Sequence, residues 1–501
     1  MMSTAGAAEG RRARPASWLP LLAGFGLAAL LLGDLYTALV AILVLLGTTA
    51  LILLPLTWSV PLLLLCIPLR FYVTYPGTEL DVALTNFVVV GFGLVCAAST
   101  MLRGRPRLLG WERFVLAWVV WTLLSLAWTT GRVASLRGVF QWLMVFSAIL
   151  ASALCVLRAA DPAQAVRRLL VALLALVAVW SIIGFVQVAA GLDNMLWFLA
   201  SPGGAVLYAP GLVATKAATM SFNWRSGTDV QPFGPFLNAI EFGIFTAVGI
   251  GAAVAMAVGR TRLAPRWLVI TALILAVAAN VACLKATGWV AALVGIAVAF
   301  VTLGRSIRRV VSVSLVAISV MAGLLWASRE AVAARLQQLA LREGSTGATA
   351  EAASRPSIWL AYLDAVRQRP LVGVGVATAN EFGPVHWTRA SATGEVIAGQ
   401  LPTENSYLTT LIETGAVGLA LLLATLVGAV VRGVRLSRRN PGDPVAQGAG
   451  VAAIGIAALL AGNMTVDAFN GEILGVIMGV LVGIVVAAVR LTPVQRMRSR
   501  V

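Results

Sequence analysis

Long apolar stretches separated by short polar segments run through almost the whole chain. Apolar runs of about 15 to 25 residues recur from Trp18 to Val489, and each is long enough to cross a hydrocarbon core of roughly 30 Å as a helix. Polar and apolar residues do not alternate as they do in half-buried strands. Helices let a backbone in lipid satisfy its own polar groups, so the pattern predicts an all-α polytopic membrane protein with about 12 to 14 transmembrane helices.

The predicted spans divide the chain into four parts. The spans cover residues 17–33, 36–54, 58–72, 83–101, 112–129, 137–157, 168–190, 236–258, 267–283, 288–304, 310–327, 406–431, 447–465 and 472–490. The parts are N-terminal helices (1–190), central helices with a first outer loop at 191–235 (191–327), a large extracytoplasmic loop (328–405), and C-terminal helices with a basic cytoplasmic tail (406–501).

The large loop contains two stretches in which apolar residues recur at helical spacing. The first covers residues 332–340, and the second covers residues 358–366 and ends at Pro370. A glycine-rich segment at 344–349 separates them and is expected to be a linker. We expect both short helices to lie on the membrane surface or to cap the helical bundle.

The formal charge of +17 has a topological explanation. A basic chain can neutralise nucleic-acid phosphates, but these arginines cluster in short segments between spans, as the positive-inside rule describes. With both termini in the cytoplasm, 24 of the 37 basic residues lie inside. No cleavage site for a signal peptide follows the N-terminal arginines, so we expect a retained first helix. The expected partner is therefore a lipid bilayer and not a nucleic acid.

Cysteine and histidine usage predicts no metal centre. The four cysteines lie in apolar runs without CxxC spacing or histidine partners: Cys66, Cys96, Cys155 and Cys283. This arrangement favours neither a disulfide framework nor a metal site. His386 is the single histidine of the chain, and a lone histidine in a loop is expected to be solvated.

Thirteen basic residues remain on the outer side against the rule, including the only two lysines, Lys216 and Lys285. One explanation is a polyanionic ligand, because guanidinium groups bind phosphate oxygens bidentately and stay charged in partly dehydrated surroundings. The alternative is that these cations pair with nearby acids or lipid headgroups. The main candidates stand where a loop meets the bundle: Arg225, Lys285 and Arg355.

Several acids and amides are further site candidates. Glu241 and Glu413 fall inside predicted spans, where a carboxylate is costly unless it is paired or faces a water-filled cavity. The others stand at the outer mouths of spans: Asn238, Glu404, Asn405 and Tyr407.

Two glycine pairs have simpler interpretations than ligand binding. Gly373-Val-Gly375 follows no predicted strand, so it is not interpreted as a nucleotide-binding loop. Gly415 and Gly418 are expected to allow close helix packing.

Three motifs between Arg225 and Asp467, about half of the chain, resemble the O-antigen ligase and polymerase superfamily of bacterial membrane glycosyltransferases. The motifs are Arg355-x3-Trp359, Arg369-Pro-Leu-Val-Gly-Val-Gly375 and Glu404-Asn405-x9-Gly415-x2-Gly418. The resemblance implies a multi-pass enzyme of the bacterial cytoplasmic membrane that transfers glycans at the periplasmic face. It also implies inversion at the anomeric carbon and no metal or cofactor.

The chain departs from the ligases at two positions. Glu404 stands where ligases carry a histidine that acts on the acceptor hydroxyl, and a carboxylate can also accept that proton. Lys285 stands where relatives often have arginine, which keeps the charge but loses the planar fork. The predicted number of spans also exceeds that of the ligases by one pair.

The resemblance suggests roles for individual residues. We expect Glu404, Arg225 and Arg355 to be catalytic, with a polyprenyl-diphosphate-linked glycan as donor and a glycan or lipid hydroxyl as acceptor. The remaining expected binding residues are Lys285, Arg369, Asn405, Tyr407, Trp359, Asn238 and Glu241. Other polysaccharide-assembly proteins are conceivable partners.

The sequence leaves several functions open. A polymerase, a ligase and a protein-glycosylating enzyme would all use such a site, and the missing histidine favours a polymerase or a related transferase. A flippase for lipid-linked saccharides is the alternative from a different class, although alternating access favours two related halves. No internal repeat is evident in the sequence.

Overall fold

The computed structural model describes most of the helical bundle. The described residues are 46–70, 72–74, 81–102, 111–129, 131–201, 204, 208, 231–236, 238–303, 355–383, 385–389, 396–400, 403–464, 466, 469 and 472–498. The predicted spans 17–33 and 310–327 and the predicted helix 332–340 lie outside these ranges.

Within the described ranges the chain is helical apart from two short hairpins. The elements are α1 (Leu56–Cys66), β1 (Tyr72–Thr74), β2 (Asp81–Ala83), α2 (Leu84–Leu102), α3 (Glu112–Leu124), α4 (Arg132–Leu157), α5 (Pro162–Ala200), α6 (Ala239–Val258), α7 (Arg266–Ala282), α8 (Ala286–Leu303), α9 (Arg355–Gln368), β3 (Val385–Arg389), β4 (Val396–Gln400), α10 (Ser406–Arg439), α11 (Pro444–Gly462) and α12 (Glu472–Arg498). Residues 46–53 are also helical.

Seven described helices are long and apolar enough to cross a membrane, namely α2, α4, α5, α6, α10, α11 and α12, and three shorter apolar helices accompany them, namely α1, α7 and α8. The predicted all-α polytopic membrane fold is therefore confirmed. The hydrophobic core runs through the middle of the bundle, where α6 and α11 are buried along almost their whole length.

Polar side chains determine where several of these helices begin. Asn238 accepts a hydrogen bond from the backbone of Ile240 at 2.8 Å, and Asp443 does the same for Val445 at 3.0 Å. Asp161 caps α5 through Gln164 at 3.0 Å. Such caps satisfy backbone N–H groups that have no partner within the first turn.

Small residues allow the helices to approach closely. The pair α4 and α12 makes the most extensive helix contact in the described bundle. Gly475, Gly479 and Gly483 stand one turn apart on α12, and a Cβ atom at any of them would press on Val145 or Ser152 of α4 or on the backbone between them. Glycine therefore permits close backbone packing. Such packing stabilises helix pairs in lipid, where no hydrophobic driving force acts between helices.

The two ends of the bundle carry different residues. At one end, Ser406 at the start of α10 contacts Asn463 at the end of α11, with 2.7 Å between Oγ and Oδ1. We call this the motif end. At the other end Glu112 forms an ion pair with Arg490, and we call this the basic end because most arginines with described side chains lie there: Arg113, Arg158, Arg167, Arg168, Arg260, Arg262, Arg266, Arg432, Arg435, Arg438, Arg439 and Arg490.

Two short pairs of strands accompany the helices. Strands β1 and β2 form one antiparallel pair, and β3 and β4 form another inside the large loop, with Val385 opposite Gln400. The segment Val385–Arg389 alternates β-branched or aromatic residues with polar ones, a pattern that favours strands. The pattern is only five residues long, too short to stand out among apolar runs three or four times that length.

The second predicted helix of the large loop is present as α9. It ends at Gln368, two residues before Pro370, because proline restricts the residue that precedes it. Tyr362 is completely buried and Val366 partly so, in a cluster with Ile412 of α10. Helix α9 therefore packs onto the bundle at the motif end.

Candidate functional site

The turn that precedes α10 holds Glu404 in an unusual backbone conformation. Its φ angle is 49°, in the left-handed region that non-glycine residues seldom adopt and that clusters at functional sites. The next residue, Asn405, caps α10 by accepting hydrogen bonds from Tyr407 and Leu408 at 3.0 and 3.1 Å. The strained turn therefore presents a half-buried carboxylate directly at a helix N-terminus.

Helix α9 holds this turn from one side. The indole N–H of Trp359 donates to the carbonyl oxygen of Thr403 at 2.8 Å. Thr403 is 1% exposed, and its hydroxyl lies 2.5 Å from that of Thr409. The residue immediately before Glu404 is thus fixed by a side chain from the large loop and by the first turn of α10.

The loop between α11 and α12 holds the turn from the other side. Ser406 is fully buried, and its backbone N–H lies 3.1 Å from the carbonyl oxygens of both Asn463 and Val466. Its hydroxyl accepts from the backbone N–H of Phe469 at 3.3 Å. Tyr407 donates its hydroxyl to the carbonyl oxygen of Leu460 at 2.5 Å. These contacts satisfy buried polar groups on both sides and leave the turn little freedom.

A break in α10 brings two of the sequence motifs together. Gly415 has a φ of 68° and interrupts the helix. Residues 370–375 run alongside the break, so that the N–H groups of Val374 and Gly375 donate to the carbonyls of Ile412 and Glu413, both at 2.9 Å. We call residues 370–375 the plug.

The plug also provides hydrogen-bond acceptors for the backbone N–H groups of the helix beyond the break. The N–H of Ala416 donates to the carbonyl of Pro370 at 2.8 Å, and that of Val417 donates to Leu371 at 3.3 Å. The N–H groups of Val374 and Gly375 therefore serve the broken helix, whereas that of Gly373 donates to the carbonyl of Arg369 at 3.0 Å. The close approach expected at Gly415 is also present, but it admits an extended segment and not a second helix.

Two tryptophans from the N-terminal part of the chain donate hydrogen bonds to the broken helix and to the plug. The indole N–H of Trp121 donates to the carbonyl of Thr414 at 2.9 Å, and that of Trp128 donates to Val372 at 3.1 Å. Arg369, an expected binding residue, is exposed and donates to the carbonyl oxygen of Trp128 at 2.8 Å. The sequence motifs did not include either tryptophan, because residues so far from the loop in the chain carry no local signal of this contact.

The second group of candidates surrounds the turn between α7 and α8. This turn is only three residues long, from Cys283 to Lys285, as predicted, and Leu284 has a φ of 49°. The thiol of Cys283 lies 3.7 Å from the carbonyl oxygen of Pro232. The half-buried Lys285 is thereby placed beside the segment that leads to Asn238 and α6.

A buried amide in α7 fixes this turn against α6. Asn280 is 1% exposed and donates to the carbonyl of Gly243 at 2.7 Å and to the hydroxyl of Thr246 at 3.0 Å. Gly243 and Gly288 allow α6 and α8 to approach until a Cβ at position 288 would lie 3.0 Å from the Cα of Gly243. A hydrophobic pattern alone does not reveal this polar contact.

The structure brings most of the predicted site residues to one end of the bundle. Glu404, Asn405, Tyr407 and Trp359 form one group there, and Lys285, Asn238 and Glu241 form the other. The end of α11 stands between the groups, because Gly462 packs against Ile244 one turn beyond Glu241. Asn238 and Asn405 both cap helices, which is a structural role that the binding prediction did not include.

Two of the three residues expected to be catalytic lie at or beyond the edge of the described ranges. Arg225 lies outside the described residues, and for Arg355 the structure gives the backbone at the start of α9. Glu413 is 4% exposed, and its backbone carbonyl accepts a hydrogen bond from Gly375 of the plug. Within the described ranges no three His, Cys, Asp or Glu side chains are grouped as metal ligands would be.

Comparison with known proteins identifies one family. Residues 271–423 match the O-antigen ligase family. This segment includes the α7–α8 turn, α9, the plug and the broken part of α10. No curated protein matches the chain.

Proposed function

Because residues 271–423 match the O-antigen ligase family, we propose that the chain is a member of the O-antigen ligase/polymerase superfamily and transfers a glycan from a polyprenyl-diphosphate-linked donor to an acceptor hydroxyl. The acceptor is a second glycan, which makes the protein a polymerase. The reaction takes place on the outer side of a bacterial cytoplasmic membrane.

The distribution of charge supports this orientation. The arginines of the basic end are those that the positive-inside rule assigns to the cytoplasm. The motif end then faces outward, where nucleotide-activated sugars are absent and lipid-linked sugars are the available donors. Both chain termini lie on the cytoplasmic side in this arrangement.

The reaction needs a general base that takes the proton of the hydroxyl and several cations that bind the diphosphate. The acceptor oxygen attacks the anomeric carbon, the bond from that carbon to the diphosphate breaks, and polyprenyl diphosphate leaves. The proton of the hydroxyl passes to the carboxylate of Glu404. Arg225, Lys285 and Arg355 hold the diphosphate more strongly as negative charge develops on it, which lowers the barrier. In-line attack inverts the anomeric centre.

The conformation of Glu404 is the observation that carries the proposal. A left-handed backbone at a glutamate is unfavourable by roughly 1 to 3 kcal/mol, and here Trp359, Asn405 and Ser406 fix the residues around it. Glycine adopts this backbone conformation without steric penalty, so the backbone alone gives no reason for a glutamate at this position. A carboxylate in this strained turn is explained if it acts on a substrate.

Reconstitution of the full chain tests the proposal. Proteoliposomes supplied with a polyprenyl-diphosphate oligosaccharide are expected to form longer glycans and to release polyprenyl diphosphate in equal amounts, as measured by mass spectrometry. Movement of the intact lipid-linked glycan between leaflets without bond formation would instead indicate a flippase. Transfer only to an added lipid acceptor would indicate a ligase, and transfer to serine or threonine would indicate protein glycosylation.

The hydrogen bond of Trp359 provides a more local test. Trp359→Phe removes the indole N–H that holds Thr403, which lowers the free energy of unfolding by about 1 kcal/mol. Because Glu404 is then free to shift, the rate of glycan transfer is expected to fall by about tenfold or more. Trp197→Phe is the matched control, because Trp197 is 74% exposed at the same end of the bundle. Equal rates in the two variants would contradict the role of the turn.

A further inference from the structure

Arg70 and Glu472 form an ion pair at the motif end. The distance between Arg70 Nη1 and Glu472 Oε2 is 3.0 Å, and each side chain is 15% exposed. Arg70 directly follows α1 and its short C-terminal turn, and Glu472 is the first residue of α12. Arg70 is one of the outer cations that the positive-inside rule does not explain, yet none of the sequence motifs contains it.

The pair is connected to the turn that holds Glu404. Glu472 follows the loop in which Val466 and Phe469 contact Ser406. Ser406 is two residues from Glu404 in the chain. Arg70 is thus attached to the same loop that fixes one side of the Glu404 turn.

Arg70 also lies near the first outer loop. Tyr208 of this loop is buried beside Gln187 of α5, whose amide N–H groups donate to the Tyr208 hydroxyl at 3.0 Å and to the carbonyl of Gly234 at 2.9 Å. Burial raises the pKa of the Tyr208 hydroxyl, whereas the hydrogen bond from Gln187 and the positive charge of Arg70 act in the opposite direction. The Tyr208 hydroxyl also donates to the carbonyl of Gly234, four residues before Asn238, so the residue that senses the charge of Arg70 contacts the segment that leads to the second group of site residues.

Stability alone is a weak explanation for this pair. Bringing an arginine and a glutamate together in a poorly hydrated place removes both charges from water, and apolar residues of similar volume would often stabilise the fold equally well. A guanidinium has five N–H donors in a planar fork, so it can serve a carboxylate and a phosphate group at the same time.

We propose that Arg70 binds the diphosphate of the lipid-linked donor, and that Glu472 orients its guanidinium for this contact. The inference rests on the proposed function and adds a cation from outside the family-matched segment to those already assigned. It also predicts effects of opposite sign for the two partners. Loss of Arg70 removes an attraction for the diphosphate, whereas Glu472→Gln removes a repulsion and keeps an amide oxygen that can still orient the guanidinium.

The test measures binding of a fluorescent polyprenyl diphosphate to the full chain in nanodiscs. Arg70→Gln and the double variant Arg70→Gln/Glu472→Gln are expected to bind about tenfold more weakly than the wild type, because a charge-assisted hydrogen bond is lost. Glu472→Gln is expected to bind as tightly as the wild type or more tightly. The double variant leaves no unpaired buried charge, so it remains informative if Arg70→Gln alone does not fold.

An exposed ion pair at the same end is the matched control. Arg367 Nη1 lies 2.8 Å from Asp364 Oδ1, and the two side chains are 76% and 72% exposed. The double variant Arg367→Gln/Asp364→Asn should bind the probe like the wild type. Wild-type binding in the Arg70→Gln/Glu472→Gln variant would overturn the role of Arg70 and leave the proposed function standing. Absence of probe binding to the wild-type protein would instead contradict the proposed function itself.

Discussion

Glu404→Gly is expected to abolish glycan transfer while leaving the protein at least as stable as the wild type. The substitution removes the carboxylate that we assign as the proton acceptor. It also removes the Cβ atom that makes a φ of 49° unfavourable. The two effects therefore act in opposite directions on activity and on stability.

The expected gain in stability is modest and the expected loss of activity is large. Glycine adopts the left-handed conformation without steric penalty but loses more backbone entropy on folding, so the net gain is about 1 kcal/mol or less. Loss of a general base lowers the rate by roughly 100-fold to 10,000-fold. Thermal unfolding in detergent and glycan transfer in proteoliposomes measure the two quantities on the same preparation.

Two further variants separate the carboxylate from the backbone. Glu404→Ala removes the carboxylate and keeps the strained backbone, so it should be as inactive as Glu404→Gly without the gain in stability. Asp364→Asn alters a carboxylate on α9 that is 72% exposed, and it should leave transfer unchanged. An active Glu404→Gly variant would exclude Glu404 from the mechanism.

Gly415→Ala is expected to destabilise the protein more than Gly191→Ala or Gly442→Ala does. A Cβ atom at position 415 would overlap the backbone of Leu371 and Val372, and the φ of 68° would be unfavourable in addition. Because backbone atoms cannot move aside as a side chain can, the plug must separate from α10. Four backbone hydrogen bonds join the plug to α10, so we expect a loss of about 3 kcal/mol or more.

Other glycines of the chain provide graded controls for this effect. Gly191 has a φ of 75° but no atom within 4 Å of the position that a Cβ atom would take, and Gly442 has neither a positive φ nor a near neighbour. Gly191→Ala should therefore lose about 1 to 3 kcal/mol from backbone strain alone, and Gly442→Ala should be neutral. If Gly415→Ala resembles Gly191→Ala in thermal unfolding, the overlap with the plug does not determine stability.

The positions of helices that are formed by long apolar runs could be predicted from the sequence. Apolar runs located α2, α4, α6, α7, α8, α11 and the start of α12 to within a few residues, because the length of such runs reports the thickness of the bilayer directly. The same signal did not reveal that α5 is interrupted at Gly191 and followed by a further helical stretch, or that α10 breaks at Gly415. A single glycine within an apolar run is compatible with a straight helix, with a kink and with a break.

The sequence motifs predicted that three segments are related, but not how these segments pack. The motifs identified the plug, α9 and the Glu404 turn as related segments. They did not indicate that residues 370–375 fill the break in α10, since that contact is made by backbone atoms, which every residue has. Trp121, Trp128 and Arg70 were missed for a related reason: their partners are more than 200 residues away in the chain.

The break in α10 also adjusts the helix to the thickness of the membrane. A continuous helix from Ser406 to Arg439 would be about 51 Å long, far more than a hydrocarbon core of roughly 30 Å requires. The part after Gly415, residues 416–439, is about 36 Å long. The polar first part of α10 can therefore turn away from the lipid and carry the Glu404 turn.

The contacts of Trp121 and Trp128 have a consequence for transplanting the family-matched segment between proteins. Both indoles belong to a part of the chain well before residue 271, yet they supply donors to carbonyls of the plug and of the broken helix. A fragment or chimera that begins at residue 271 would leave Thr414 and Val372 without these donors, at a penalty of about 1 to 3 kcal/mol for each. Chimeric proteins should therefore be more stable when α3 and its C-terminal turn are exchanged together with the segment that they hold.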